Sequence, residues 1–337
     1  MNLSKALRIS KESSVAFAGA GGKTTAMFQL ARELKPPILI TATTHLAASQ
    51  AALADRHIIA GSRVPFEDLE NAIHGVTLLT GPIQDDKTLP VDEKYLSRLR
   101  EYCNTHVLPL LIEADGSRGR PLKAPTGHEP PIPEFAELVV ISAGLSGVGK
   151  PLSDEHVHRP EIFARLADLN IGDQIPVEAL ARVLLHAEGG LKNIPRGARC
   201  VALLNQADTP ELQSMAGKLA KPLLSAFDSV LVASLRQNEV FSVHEEVAGV
   251  VLAAGASRRY GRTKQLLEWH GESFVRTVAK TALSAGLSPV LVITGADAEN
   301  VEAKVNPVVR SGDRLPDACE SEGSIGEEVR REGMGAA

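Results

Sequence analysis

Cysteine and aromatic residues are scarce in this chain of 337 residues, and long apolar runs are missing. Cys103, Cys200 and Cys319 are far apart and form no C-x-x-C pair, so we expect a reducing compartment and no disulfide framework. Aromatic residues make up only 4% of the chain, which predicts a core built from Leu, Val, Ile and Ala. No run is apolar enough to cross a membrane and the N-terminus shows no signal peptide, so we expect a cytoplasmic protein with no membrane partner.

The charge balance also excludes a class of partner. The formal net charge is −5, which argues against a general nucleic-acid binder. Apolar residues make up 44% of the chain, enough for a globular core, and the length predicts two domains.

The most informative stretch is residues 15–25, V-A-F-A-G-A-G-G-K-T-T, followed by an amphipathic pattern over 26–34. Strand, glycine turn, Lys-Thr and helix form the arrangement of a phosphate-binding loop. Lys23 would reach the terminal phosphates of a nucleotide, and Thr24 would bind Mg²⁺. The predicted nucleotide-binding residues here are Gly19, Gly21, Gly22, Lys23, Thr24 and Thr25. Phe17 stands where the standard pattern G-x-x-x-x-G-K-[ST] has its first glycine, and a plain glycine turn with a solvated lysine is the alternative.

A second stretch, residues 107–117, is an apolar strand that ends in two acids, as in a Walker B element. One carboxylate there can bind Mg²⁺ while its neighbour positions a nucleophile. Glu113 and Asp115 are two residues apart, so both point to the same side of a strand. We therefore predict Lys23, Glu113 and Asp115 as the catalytic group and Thr24 with Asp115 as Mg²⁺ ligands. Two solvated acids at a strand end are the alternative.

Residues 205–208, N-Q-A-D, follow an apolar strand and resemble the N-K-x-D element of guanine-nucleotide-binding proteins. A carboxylate offers two acceptors to the two adjacent N–H donors of guanine, a pair that adenine lacks. Asn205 and Asp208 are therefore predicted to favour GTP over ATP. An Asx turn that caps the following helix is the alternative.

Alternation of short apolar strands with helical segments predicts the fold class. Strands at 15–18, 38–42, 76–80, 138–143 and 200–204, with helices between them, indicate an α/β domain whose mostly parallel, P-loop-like sheet is flanked by helices. The strand at 230–235 is expected to be the last. Thr43 and Thr44 follow a strand and are expected either to face the phosphates or to cap a helix at 46–54.

Two further motifs are weaker. Residues 144–151, G-L-S-G-V-G-K-P, match G-x-x-x-x-G-K more closely, but Pro151 replaces the Ser/Thr and no helical pattern follows, so we interpret them as a loop. His156 and His158 could form a metal site with His45 and His128, although isolated histidines are more often structural.

Taken together, these segments resemble the YqeC family of selenium cofactor biosynthesis, accessory proteins of selenium-dependent molybdenum hydroxylases. The resemblance spans about 15–235, and E-A-D-G-S-R-G-R-P-L-K at 113–123 is its most specific part. It implies a role in hydroxylase maturation, with the hydroxylase or its cofactor-maturation proteins as partners. With the motifs, it favours an NTP-hydrolysing protein that uses Mg²⁺ and GTP; a non-catalytic, nucleotide-dependent binding module is the alternative.

Residues 250–267, V-V-L-A-A-G-A-S-R-R-Y-G-R-T-K-Q-L-L, resemble the start of a MobA/MocA-type nucleotidyltransferase, a family that joins CMP or GMP to molybdopterin. The resemblance implies a Rossmann-like α/β domain that holds an NTP at Gly255, Arg259 and Lys264, and a second possible function as a molybdopterin nucleotidyltransferase. The family's catalytic aspartate segment is expected next, but Arg, Glu and Gly dominate after 306, and Gly312-Asp313 comes too early for it. We therefore expect a nucleotide-binding domain over 1–245, a truncated and inactive transferase fragment over 246–306, and a disordered tail over 307–337.

Overall fold

The computed structural model describes residues 1–10, 13–60, 72–255, 257–295 and 297–305. The described residues divide into two compact units, Met1–Glu245 and a second unit that begins at Glu246. The expectations for the tail over 307–337 lie outside the described residues.

The first unit alternates strands and helices along the chain. Its described strands are β1 Ser14–Gly19, β2 Ile38–Ala42, β3 Leu46–Ala47, β4 Arg56–Ile59, β5 Val76–Thr80, β6 Ile83–Gln84, β7 Lys87–Thr88, β8 Leu110–Glu113, β9 Leu122–Lys123, β10 Leu138–Gly144, β11 Val157–His158, β12 Arg199–Asn205, β13 Ser229–Ser234 and β14 Glu239–Glu245. Its described α-helices are α1 Leu3–Ala6, α2 Lys23–Glu33, α3 Glu93–His106, α4 Pro160–Ala167, α5 Val177–Leu185 and α6 Pro210–Leu223.

One large sheet organises this unit. Nine of the strands in the described ranges form it, in the order β14-β13-β12-β10-β1-β8-β2-β5-β4. All neighbours pair in parallel except β13 and β14, which are antiparallel. Because the carboxyl ends of parallel strands meet at one edge, β1, β8 and β12 present the residues that follow them on the same side of the molecule. The predicted α/β class with a mostly parallel sheet is confirmed.

Helices cover both faces of the sheet, because successive residues of β1 pack alternately against helices on one face and on the other. Val15 and Phe17 are buried in a cluster with residues of α1 and α2, whereas Ala16 and Ala18 belong to a cluster with α4, α5 and α6. Phe17 is therefore a core residue of the strand, fully buried. The chain leaves β1 only at Gly19, two residues after the position where the standard phosphate-loop pattern begins.

One local alternative was right only in part, and one local prediction was wrong. The helix at 46–54, one of the two alternatives for Thr43 and Thr44, is present only as a 3₁₀ helix over Ala48–Leu53, after the short strand β3, which pairs with β7. The strand at 229–234 is not the last, because β14 returns antiparallel to it and pairs Val230 with His244. Polar residues interrupt β14, which lies at the sheet edge and is largely half-buried, so its apolar pattern is weak.

The second unit is smaller in its described part. Its elements are β15 Gly249–Leu252, β16 Glu268–Trp269, β17 Glu272–Ser273, α7 Phe274–Ser284, β18 Val290–Ile293 and α8 Ala298–Val305. β15 and β18 pair in parallel, and Val275, Ala279 and Val301 form a small core with Val290. Over the described ranges, no helix combines the length and the apolar character needed to span a bilayer.

Candidate functional site

The glycine loop, residues 19–22, connects β1 directly to α2. Gly19, Gly21 and Gly22 have φ angles of +88°, +75° and +126°. A Cβ on Gly19 would lie 2.2 Å from the carbonyl oxygen of Ser142, and one on Gly21 would lie 2.3 Å from the backbone nitrogen of Gly144. Only glycine fits both the angles and the close approach to β10.

The N-terminus of α2 is open at this loop. Gly22 is the N-cap residue and no side chain caps the helix. The backbone N–H groups of the first turn have no partner within a helix, and they carry the positive end of its dipole, so they suit an anion. The amides nearer β1 are already bonded within the protein: Gly19 to Asp115 Oδ2 at 3.2 Å, Ala20 to the Ser142 carbonyl at 2.8 Å and Gly21 to the Arg120 carbonyl at 3.1 Å.

Thr24 and Glu113 meet beside this helix end. The Thr24 hydroxyl donates a hydrogen bond of 2.7 Å to Glu113 Oε2 and accepts one of 3.2 Å from Gln50 Nε2. Glu113 ends β8, which neighbours β1, so sheet order explains the meeting. Burial raises the pKa of the Glu113 carboxyl. A hydroxyl and a carboxylate are oxygen ligands of the kind that Mg²⁺ prefers.

Lys23 is buried and turned toward the glycine loop. Its Nζ donates to the Gly19 carbonyl at 2.7 Å and to Ser117 Oγ at 3.2 Å. Burial lowers the pKa of this amine, although Glu113 and Asp115 nearby favour its charged form. The ammonium group thus lies at the helix end, bonded to neutral oxygens that a phosphate could replace.

Asp115 makes contacts different from those of Glu113. Its Oδ1 accepts from Lys123 Nζ and its Oδ2 accepts from the Gly19 amide, so protein donors contact both carboxylate oxygens. The described hydrogen bonds of Thr24 join it to Glu113 and Gln50 rather than to Asp115. The structure therefore places Glu113, and not Asp115, beside the hydroxyl, and the role of Asp115 as a metal ligand stays a prediction.

A chain of ion pairs runs from Asp115 to Arg159. Lys123 Nζ also donates to Glu129 Oε2 at 2.7 Å, and Arg159 Nη2 donates to Glu129 Oε1 at 2.6 Å. Burial opposes ionisation of Glu129, but the hydrogen bonds from Arg159 and Lys123 outweigh it and lower its pKa to about 2. Sequence reasoning missed Glu129, because it lies in an irregular proline-rich segment without a local pattern that points to it.

Asn205 and Asp208 flank the glycine loop on the β12 side. Asn205 Nδ2 donates to the Gly21 carbonyl at 2.6 Å, and Asn205 Oδ1 accepts from the Leu235 amide at 3.0 Å, so its side chain fixes the loop. Asp208 is exposed and accepts from Ser234 Oγ at 2.5 Å. Of the two predicted base-selecting residues, only Asp208 is therefore accessible to a base.

Two clefts adjoin at this edge of the sheet. The larger, about 650 Å³, is lined by the first turn of α2, Glu113, Ser117, Arg118, Arg120 and Arg159. The smaller, about 480 Å³, is lined by Asn205, Asp208, Leu235 and Arg236. Gly22, Thr25 and Gln206 line both clefts. A ligand with an anionic end and a flat polar end could thus lie across the glycine loop, with one end in each cleft.

Two weaker motifs remain, the second glycine-rich stretch and the four histidines, of which His45 and His158 line the larger cleft. Leu145–Gly147 forms a 3₁₀ turn, and Pro151 then makes an isolated bridge to Gln174, so the second glycine-rich stretch is a loop, as predicted. Within the described ranges, no group of three or more His, Cys, Asp or Glu residues could hold a metal ion, so the four histidines form no such site. A cation at Thr24 and Glu113 would need further oxygen ligands from a nucleotide and water.

Gly255, Arg259 and Lys264 lie together on the segment that follows β15 in the second unit. The Gly255 carbonyl accepts from Gln265 Nε2 at 2.8 Å, and the Lys264 amide donates to Ser257 Oγ at 3.1 Å. Arg259 is exposed. Gln265 also donates to the Ala253 carbonyl at 3.0 Å and so shapes this segment, a role that the sequence did not reveal.

Comparison with known proteins covers both units. The family model described as YqeC protein matches residues 15–161. Protein YqeC of Escherichia coli (strain K12) is 32% identical over 216 residues, which are 62% of this chain and 82% of that protein. The solved structures include no match.

The second unit matches other proteins. The model described as MobA-like NTP transferase domain covers residues 249–323. Nicotine blue oxidoreductase of Paenarthrobacter nicotinovorans is 44% identical over 61 residues, 18% of this chain and 30% of that protein. A probable molybdenum cofactor guanylyltransferase of Bacillus cereus (strain ATCC 10987 / NRS 248) is 44% identical over 64 residues, 18% of this chain and 32% of that protein. The chain thus spans about a third of each of these two relatives.

Proposed function

Because the chain belongs to the YqeC family, we propose that its first unit binds and hydrolyses a nucleoside triphosphate with Mg²⁺, GTP in preference to ATP. We propose further that it does so as an accessory protein in the maturation of selenium-dependent molybdenum hydroxylases. The observation that carries the nucleotide site is the uncapped start of α2, which brings Lys23 and the Thr24–Glu113 pair to one cleft. An amine, a hydroxyl and a carboxylate lie together at this helix start, and phosphoryl transfer uses such groups to bind phosphate and Mg²⁺.

Each residue has a role in this proposal. The first-turn amides of α2 and the Lys23 ammonium would bind the terminal phosphates, Lys23 exchanging the Gly19 carbonyl for a phosphate oxygen. Thr24 and Glu113 would hold Mg²⁺, which when bound neutralises charge on the phosphate oxygens. Asp115 would position the Gly19 amide and Lys123, since its carboxylate is bonded to both.

The smaller cleft supports the preference for guanine. Asp208 lines it beside the exposed Arg236, and only one hydrogen bond to the Asp208 carboxylate is described. Its remaining acceptor positions could accept from the two adjacent N–H donors of a guanine edge if the base lies in this cleft. Asn205 would contribute indirectly, by fixing the Gly21 carbonyl.

The test is equilibrium binding of a fluorescent GTP analogue to the full chain with Mg²⁺, competed by GTP, ATP and CTP. Lys23→Met should weaken binding at least about tenfold, and GTP should compete better than ATP. Lys264→Met is the matched control in the second unit and should leave this affinity unchanged. Equal affinity in wild type and Lys23→Met, with a loss in Lys264→Met, would move the nucleotide site to the second unit.

Turnover separates hydrolysis from binding alone. Release of phosphate from GTP should require Glu113, so Glu113→Gln should abolish it. Tight binding without turnover, unaffected by Glu113→Gln, would instead indicate a non-catalytic module in which nucleotide sets a conformation for a partner.

A second candidate function rests on the MobA-like match and the guanylyltransferase relatives of the second unit. In this alternative the chain transfers a nucleotide from CTP or GTP to molybdopterin, with Gly255, Arg259 and Lys264 at the NTP. Pyrophosphate release that depends on molybdopterin and is lost in Lys264→Met, but kept in Lys23→Met, would support it.

A further inference from the structure

The arginine loop, residues 116–121, is hydrogen-bonded to the glycine loop. Ser117 Oγ accepts from Lys23 Nζ at 3.2 Å, and the Arg120 carbonyl accepts from the Gly21 amide at 3.1 Å. The Pro121 carbonyl accepts from the Gly144 amide at 2.8 Å, which ties the loop to the end of β10 as well. The arginine side chains are therefore carried on a segment fixed directly beside the start of α2.

Among the residues that the structure describes, these arginines have no acidic partner. Arg118 is exposed and Arg120 is half-buried, and within the described ranges neither guanidinium group makes a hydrogen bond or ion pair. Arg118 also has a φ of +50°, a conformation that is uncommon outside glycine and recurs at functional sites. Arg159, with a φ of +66°, lines the same cleft but is bonded to Glu129. Two arginines are thus free to bind an anion.

The larger cleft has an excess of positive charge. Its described lining includes five lysines and arginines but two glutamates: Lys23, Lys87, Arg118, Arg120 and Arg159 against Glu113 and Glu129. Burial first, and then the positive charges of Lys123, Arg159 and Arg118, lower the pKa of His158 in this cleft to about 4. A cleft lined by one sign of charge concentrates ligands of the opposite sign.

The cleft also extends beyond the start of α2. Its lining runs from Lys23 and Thr24 to Ser117, Arg118, Arg120 and Arg159, and its volume is about 650 Å³. Lys23 and α2 serve the nucleotide in the proposed function, so Arg118, Arg120 and the remaining volume are left for another group.

We propose that Arg118 and Arg120 form a second anion subsite in this cleft, which binds an oxyanion-bearing second substrate while the nucleotide occupies the start of α2. This inference rests on the proposed function. Planar guanidinium groups bind phosphate-like oxyanions through paired N–H donors, which suits a small phosphorylated molecule or a free tetrahedral oxyanion. Bound there, the second substrate would lie next to the terminal phosphate of the nucleotide.

The test uses the full chain saturated with Mg²⁺ and a non-hydrolysable GTP analogue, titrated with inorganic phosphate at constant ionic strength. Calorimetry should show phosphate binding to this complex. Arg118→Gln and Arg120→Gln should each weaken phosphate binding about tenfold while changing the affinity for the analogue little. Both variants should fold, because neither side chain has a hydrogen-bond or ion-pair partner among the described residues. Arg165→Gln is the matched control, since its guanidinium pairs with Glu188 on an exposed helix surface.

Four results would overturn the inference. If phosphate competes with the analogue and Arg118→Gln weakens the analogue, the arginines bind the nucleotide's own terminal phosphate. If Arg165→Gln weakens phosphate binding as much as Arg118→Gln, the effect is one of general charge. Binding of the analogue without binding of phosphate would refute the second subsite alone, whereas failure of the analogue to bind would refute the proposed function as well.

Discussion

Thr24 Oγ1 and Glu113 Oε2 lie 2.7 Å apart, and their hydrogen bond joins the first turn of α2 to the end of β8. The two residues are 89 positions apart in the chain. Burial raises the pKa of the Glu113 carboxyl, and the Thr24 hydroxyl donates a hydrogen bond to it. A divalent cation bound here could be coordinated by both oxygens.

Thr24→Val removes the hydroxyl and keeps the branched shape. We expect the affinity for GTP in the presence of Mg²⁺ to fall about tenfold, the effect of losing one charge-assisted contact. In the presence of a chelator, the affinities of variant and wild type should be similar. Thr105→Val, on the exposed face of α3, is the control. An equal loss with and without Mg²⁺ would show that Thr24 contacts the nucleotide only.

Asn205→Asp tests the fixation of the glycine loop. Nδ2 of Asn205 donates to the Gly21 carbonyl at 2.6 Å. An aspartate at this buried position would place a carboxylate oxygen next to the Gly21 carbonyl oxygen, and both are acceptors. We expect the free energy of unfolding in urea to fall by about 3 kcal/mol. Asn104→Asp, exposed on α3, should change it by less than about 0.5 kcal/mol. Similar effects of the two changes would mean that Asn205 does not anchor the loop.

Gly19→Ala separates two reasons for glycine in the loop. Gly19 and Gly172 both have positive φ, +88° and +95°, but only Gly19 has a neighbour, the Ser142 carbonyl, where a Cβ would lie. Gly172→Ala should therefore cost about 1–2 kcal/mol of unfolding free energy for backbone strain alone. Gly19→Ala should cost several-fold more or prevent folding, as measured by urea titration. Equal costs would show that β10 yields to the added methyl group.

Local pattern predicted the framework of the first unit well. The strands at 38–42 and 76–80 have the bounds that the sequence indicated, because each is a short run of β-branched and apolar residues next to proline or glycine. The glycine loop was placed correctly between β1 and α2 because Gly-Gly-Lys-Thr ends one apolar run and starts an amphipathic one. Periodicity and turn residues act over a few positions, so a local run of sequence is enough to place these elements.

Contacts between distant residues could not be predicted in the same way. Asn205 was expected to select a base, yet its side-chain amide donates to the carbonyl of Gly21, 184 positions away. Only β10 lies between β1 and β12 in the sheet, so the loops that follow β1 and β12 come close together. Asp115 and Glu113 looked equivalent in the sequence, but Lys123 contacts only the former and Thr24 only the latter. Sheet order decides such pairings, and sheet order is not encoded in any local run.

Glu129→Gln tests the ion-pair chain behind the cleft. The pKa of Glu129 is lowered from 4.5 to about 2, so its ionised form stabilises the fold above about pH 4.5, and this contribution is lost as the pH falls toward about 2. Glu129→Gln should therefore lower the free energy of unfolding near neutral pH, and the difference from wild type should shrink steadily between about pH 5 and about pH 3. Glu188→Gln, which breaks the exposed pair with Arg165, should have little effect at any pH. A difference for Glu129→Gln that stays constant over this range would show that Glu129 acts through packing and not through its charge.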